Sequence, residues 1–274
     1  MLSSVKDLKE FTVEAIDGPI GHVKNFYFDD KGWIIRYAIV ETGNWFNSRK
    51  VLVSPIAIGQ PDWLKRVLPV SVTKAELRDS PDIDTDMPVS RQHEVDFSGY
   101  YGYQYYWSGN GYWGTGMYPN LMMLQDYQST PEQRLAQRAS EERTESDQAY
   151  PGDAHLRSCR AIKTYHVHAS DSDLGHVTGS IVDDKTWAIR YLIVATSNWW
   201  RGQQVLIAPD WIKAMDWYES NIVLSMTRQA LESAPPYDPA FALERSHEAS
   251  LYQHHGRATY WASENPPKAA LYGL

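Results

Sequence analysis

Cysteine is almost missing from this sequence. Cys159 is the only one among 274 residues, so no intramolecular disulfide can form and no cage of thiolates can hold a metal. A chain built without disulfides suits a reducing compartment, and the expected location is the cytoplasm. Positive charge is also short: 26 Lys and Arg stand against 34 Asp and Glu, a net charge of −8. Non-specific nucleic-acid binding needs a positive field to neutralise phosphates. No Lys/Arg cluster supplies one, which argues against nucleic acid as a partner. Long apolar runs are absent too. Nothing approaches the ~18 consecutive apolar residues of a membrane-spanning helix, and the stretch 1–9 has no apolar region of the secretory kind. The expectation is therefore no span and no signal, with peripheral membrane association left open.

Catalytic signatures are missing as well. The sequence contains no Gly-x-Ser-x-Gly, no phosphate loop ending in Lys, no His-Glu-x-x-His and no dinucleotide fingerprint. It assigns no catalytic, cofactor-binding or metal residue and points away from an enzyme. Phenylalanine is scarce at 6, whereas there are 11 Trp and 18 Tyr. Trp and Tyr join apolar area to a polar tip and are enriched at interfaces.

The dominant positive feature is an internal duplication. At one constant offset and without a gap, Gly21-His22-Val23 falls on Gly175-His176-Val177, and Asp29-Asp30-Lys31 on Asp183-Asp184-Lys185. Arg36-Tyr37 falls on Arg190-Tyr191, Asn44-Trp45 on Asn198-Trp199, and Pro55 on Pro209. The register still holds at Glu94 against Glu248 and at Tyr106-Trp107 against Tyr260-Trp261. A period this long indicates two copies of a small domain, not a solenoid. The boundaries read from it are 1–82 for the first barrel, 83–107 for its tail, 108–154 for a linker, 155–236 for the second barrel and 237–274 for its tail.

Alternation of apolar and polar residues, with Gly and Pro at the breaks, predicts strands at 11–15, 21–29, 33–41, 50–53 and 68–72. The second copy repeats them at 165–169, 175–183, 187–195, 204–207 and 222–226. Thr73-Lys74-Ala75-Glu76 fits a capping box, so a short helix should run to Asp79. Thr227 keeps the cap without the acidic partner. Short helices are expected near 91–100 and 245–254, each followed by aromatics. Five short strands with tight turns suggest a small antiparallel barrel, whose closure removes exposed edges. The predicted class is mainly β: two tandem small antiparallel barrels, each followed by a short helix and an aromatic tail. The linker divides into a Gly- and aromatic-rich part, 109–118, and a charged part, 131–147, that reads as a solvated helix or a tether.

The ordered signature is Gly-x-Val, then Asp-Asp, then Trp-x-Ile-Arg-Tyr (residues 33–37 and 187–191), then Asn-Trp, an apolar strand and Pro. It resembles the PRC-barrel family, named from the H subunit of the photosynthetic reaction centre. The resemblance covers both copies. It implies PRC-type barrels and a role as a non-catalytic adaptor or regulatory binding module. In this family one member sits on the cytoplasmic face of the reaction centre and tunes electron and proton transfer. Another forms the C-terminal part of a ribosomal RNA maturation factor and binds a ribosomal protein. A membrane electron-transfer complex is thus one implied target. The alternatives are a ribosome-linked protein binder and a small-ligand or metal sensor. The expected partner is another protein or a second copy of the chain. The chain departs from both relatives, lacking the membrane helix of the first and the N-terminal domain of the second.

Several residues invite a function. Arg36 and Arg190 lie in otherwise apolar strands, where a charge needs a partner or a route to solvent. Each either faces outward over apolar surface or joins barrel to tail helix through Glu94 or Glu248. Trp45, Phe46, Trp199 and Trp200 fall in a loop, where aromatics can anchor a partner or plug the barrel end. His22 and His176 follow a turn. His166 and His168 share a strand face, a metal-compatible spacing without an evident third ligand. Asp29-Asp30 and Asp183-Asp184 read as turn residues, and His254-His255 as replacements for the aromatic pair Tyr100-Tyr101.

Overall fold

In a computed structural model, residues 1–9, 11–43, 49–81, 89–122, 155–196 and 203–264 are described. The first copy contains β1 (Leu2–Ser4), α1 (Val5–Leu8), β2 (Thr12–Ala15), β3 (Gly18–Asp29), β4 (Ile35–Thr42), β5 (Arg49–Val53), β6 (Val67–Pro69), α2 (Lys74–Asp79) and α3 (Arg91–Tyr101). The second contains β7 (Leu156–Ser158), β8 (His166–His168), β9 (Asp173–Asp183), β10 (Ile189–Thr196), β11 (Gln204–Ile207), β12 (Ile212–Asp216), β13 (Asn221–Leu224), α4 (Arg228–Glu232), α5 (Arg245–His254) and α6 (Tyr260–Glu264). The fold is mainly β, with two curled sheets and few short helices, as two tandem barrel-like domains require. One sheet runs β5-β4-β3-β2-β6 and the other β11-β10-β9-β8-β13-β12. Most pairs are antiparallel. In addition, each sheet holds one parallel pair, β2 with β6 and β8 with β13.

The chain gathers into two compact units, Met1–Lys163 with Gly179–Tyr191, and Thr164–Thr178 with Leu192–Leu274. The hairpin end of the second copy, including Asp183 to Arg190, therefore belongs to the first unit. Within that unit β1 pairs with β9, Leu2 opposite Asp183, and β7 pairs with β3, Leu156 opposite Asp29. Each copy's opening strand thus lies on the hairpin of the other copy. The two hairpin tips also bond reciprocally: the Ile35 N–H donates to the Trp187 carbonyl at 2.8 Å and the Ile189 N–H to the Trp33 carbonyl at 2.7 Å.

The backbone repeats even where the side chains do not. Trp33 and Trp187 have φ of 56° and 62°, and Arg66 and Ser220 have φ of 55° and 57°. Left-handed conformations are uncommon for such residues, so their recurrence at matched positions shows that one backbone design was copied. Gly21 and Gly175 repeat for another reason. A Cβ at Gly21 would overlap the Glu41 carbonyl oxygen, and one at Gly175 the Ala195 carbonyl oxygen. Only glycine permits this approach of neighbouring strands.

Helix α2 starts with the expected capping box. The Thr73 hydroxyl accepts from the Glu76 N–H at 3.2 Å, and the Glu76 carboxylate accepts from the Thr73 N–H at 2.7 Å. The Thr73 N–H, and then the Thr73 hydroxyl, donate to this carboxylate and hold it below its ordinary pKa. In α4 only the Thr227 half survives, and the helix has five residues against six in α2. Helix α3 lays Phe97 edge-on against Tyr37, with ring centres 5.1 Å apart. These two join Tyr27, Ile39, Leu52, Val89 and Leu156 in one buried cluster that fastens the tail to the sheet.

Candidate functional site

Arg36 sits on β4 and is buried. Its Nε donates to Asp29 Oδ2 at 2.7 Å, and Asp29 is buried as well. Asp29 ends β3, and its other oxygen accepts from the Gly32 N–H, which closes the hairpin turn. The guanidinium lies 3.8 Å from the centre of the Tyr106 ring and 4.8 Å from that of Trp113, and Nη1 donates to the Tyr112 carbonyl. A desolvated guanidinium is tolerable only with a carboxylate, an acceptor and aromatic faces around it. Trp113 is itself held, its Nε1–H donating to the Thr186 carbonyl at 2.9 Å. The Gly- and aromatic-rich part of the linker is therefore packed into the first unit.

Arg190 is the copy of Arg36 and is also buried. Its carboxylate is Asp183, at 3.4 Å, supplemented by the Thr186 hydroxyl at 3.3 Å and the Tyr112 hydroxyl at 3.3 Å. The ion-pair expectation needs correction. The carboxylates come from the arginines' own hairpins, Asp29 and Asp183, and not from Glu94 or Glu248 on the tail helices. The reason is register: Asp29 and Arg36 flank one tight turn, so strand pairing brings them together locally. Nor does either arginine face outward. Arg36 reaches its tail through the face of the Tyr106 ring.

Glu94 has a separate role. It is fully buried on α3. One oxygen accepts from the Tyr106 hydroxyl at 2.7 Å and the Tyr37 hydroxyl at 3.2 Å. The other lies 2.8 Å from His155 Nε2 and 3.1 Å from Arg91 Nη1. Burial first, and the neighbouring Glu94 charge second, push both tyrosine hydroxyls far above their ordinary pKa. Both phenols therefore stay protonated as donors. Arg91 also lies over Trp107, 3.9 Å from its ring centre. In the second unit, buried Glu248 accepts from the Tyr260 hydroxyl at 3.0 Å and pairs with Arg245 at 3.0 Å, while Arg245 lies 4.2 Å from the centre of Trp261. Each tail is thus pinned by the same Arg-Glu-Tyr-Trp set.

The remaining sequence candidates scatter. His168 bonds Asp173 at 2.6 Å and Asn221 at 3.3 Å, whereas His166 is exposed. Among the described residues no three His, Cys, Asp or Glu gather as a metal site. Asp30 takes Arg157 at 2.8 Å, a partner separate from that of Asp29. His255, at the repeat position of Tyr101, packs edge-on against Trp211 at 4.9 Å. Cys159 is buried, and burial pushes its thiol up to about 12, which suppresses the reactive thiolate. Trp45, Phe46, Trp199 and Trp200 lie outside the described residues.

A further repeated feature escaped the sequence reading. The hairpin β12–β13 and its counterpart at 62–67 carry Asp216-Trp217-Tyr218 and Asp62-Trp63-Leu64. The Asp62 carboxylate accepts from the N–H groups of Leu64 and Lys65 at 3.1 and 3.0 Å. That of Asp216 accepts from Tyr218 and Glu219 at 3.0 and 2.9 Å. Trp63 turns inward onto Phe11, and Trp217 onto Tyr165. The next side chain turns out: Leu64 is 98% exposed and Tyr218 93%. The signal was present as a repeated Asp-Trp followed by an apolar residue.

Residues 2–74 match the family model of the PRC-barrel domain. The match takes in the strands β1 to β6 and the Asp29–Arg36 hairpin. It ends before the second copy, whose backbone nonetheless repeats the same strand order and turn conformations. No curated protein matches the chain. Among the described residues, no helix is long and apolar enough to cross a membrane.

Proposed function

We propose that this chain is a non-catalytic binding module, a pair of PRC-type barrels that present side chains from stiff turns to a partner protein. The observation that carries this reading is the contrast between its polar and apolar groups. Arg36, Asp29, Glu94, His155, Tyr37 and Tyr106 are buried and bonded to one another or to the backbone. They are employed in holding tails and hairpins. The most exposed large apolar side chains, Leu64 and Tyr218, stand instead at matched turns fixed by aspartate bonds. An ordered turn loses little conformational entropy on docking, and aromatic or aliphatic anchors carry most interface energy. Duplication raises effective concentration for a target with two sites. Trp45, Phe46, Trp199 and Trp200 are the loop candidates for the same role. The resemblance to reaction-centre and ribosome-linked members makes a membrane electron-transfer complex the first target to seek and a ribosomal protein the second.

The test is capture of the full chain from its own cells under gentle crosslinking, followed by mass spectrometry. A defined protein recovered with wild type, and lost with Trp199→Ala/Trp200→Ala or with Leu64→Ser/Tyr218→Ser, supports the reading. Recovery of neither another protein nor an untagged second copy of the chain at native expression contradicts it.

A further inference from the structure

The two matched turns are alike in backbone and opposite in charge. Both close over an aspartate that accepts two backbone N–H bonds, both place a left-handed residue at the end, and both project one apolar side chain. Beyond the apolar residue they diverge. Leu64 is followed by Lys65 and Arg66, Tyr218 by Glu219 and Ser220. Lys65 reaches back to Asp62 only at 3.5 Å and its side chain remains 79% exposed. Glu219 is exposed and makes no ion pair among the described residues. Lys65 and Glu219 occupy equivalent positions of the repeat. One turn is thus a basic version, and the other an acidic version, of the same small surface.

We propose that these unlike turns bind each other between two copies of the chain, with Leu64 of one copy against Tyr218 of the next and Lys65 beside Glu219. This rests on the reading of the chain as a binding module and names its partner as a second copy. Charge complementarity selects that occupant. An anionic lipid surface would favour basic flanks at both turns, and the acidic Tyr218 turn opposes it. A contact between unlike surfaces is heterologous, so it closes into a ring or dimer or else grows with concentration. The surface of one turn is small, so the association should be weak, on the order of 100 μM.

Sedimentation velocity of the full chain from about 10 to 500 μM, a range bracketing that affinity, reads the proposal. Wild type should gain mass with concentration, and Leu64→Ser or Tyr218→Ser should each weaken association by about tenfold or more. The decisive variants are charge reversals. Lys65→Glu alone sets two acidic turns together and Glu219→Lys alone two basic ones, so each should weaken self-association. The double variant Lys65→Glu/Glu219→Lys should restore it. All four side chains are exposed, so the variants leave the buried core untouched. A chain that stays monomeric throughout, or a double variant no better than its parents, overturns the self-association. Neither result touches the broader binding reading, which the cellular capture decides. Loss of binding to anionic vesicles in the Leu64 variant, with solution mass unchanged, would also overturn it in favour of a lipid surface.

Discussion

Asp29 and Arg36 meet at 2.7 Å across a single hairpin turn, both buried. The pair joins a tight hairpin to the aromatic segment that follows α3, because the same guanidinium carries the Tyr106 and Trp113 rings. Removing one member of such a pair leaves a desolvated charge. Asp29→Ala is therefore expected to cost about 3–5 kcal/mol. Asp183→Ala should cost less, about 1 kcal/mol, because Arg190 keeps the Thr186 and Tyr112 hydroxyls and its carboxylate was farther away. Urea unfolding of the two variants measures the difference. Equal losses would show that the two hairpins are not graded as their geometry indicates.

Two glycines should respond in opposite directions. Gly21→Ala drives a methyl group into the Glu41 carbonyl and should destabilise by about 1–3 kcal/mol. Gly99 lies within α3, and a methyl group added there would meet nothing within 4 Å. Gly99→Ala should stabilise by about 0.5–1 kcal/mol through helix propensity. Denaturation midpoints decide both, and a stabilised Gly21→Ala would refute the close strand approach.

The second unit should carry an acid-sensitive site. Burial, with His254 next in importance, pushes His255 down to about 4 from 6.5. The unfolded chain then binds this proton more readily than the folded one. The stability associated with neutral His255 is complete above pH 6.5 and is lost as pH falls toward 4. His255→Tyr, which installs the residue found at Tyr101, should flatten that part of the stability profile. Parallel profiles for wild type and variant between these pH values would contradict the assignment.

The strands were legible because their side chains alternate and because each copy corroborates the other. The helix at 74–79 was legible from its capping box, Thr73 with Glu76. The partner of Arg36 was not. The sequence left Arg36 either facing outward or tied to Glu94 on the tail helix, whereas strand register placed Asp29 beside it. The exchange of β1 and β7 between hairpins was also hidden, since a three-residue strand carries no periodicity and its pairing is set by distant chain. Trp113 lacked a repeat counterpart, so nothing in the duplication marked it as buried. The turns at Leu64 and Tyr218 went unread although Asp-Trp recurs there, because an exposed apolar residue looks like a buried one until accessibility is known.

The central claim is that the buried polar set holds the tails while the exposed turns bind. Crosslinked capture with Glu94→Gln and with Leu64→Ser/Tyr218→Ser, paired with unfolding curves of the same proteins, tests it most directly. Glu94→Gln should lower stability, by about 1–3 kcal/mol, and still recover the partner recovered by wild type. The double turn variant should keep wild-type stability and lose that partner. The reverse pattern, binding lost with Glu94→Gln at unchanged stability and kept by the turn variant, would contradict the account.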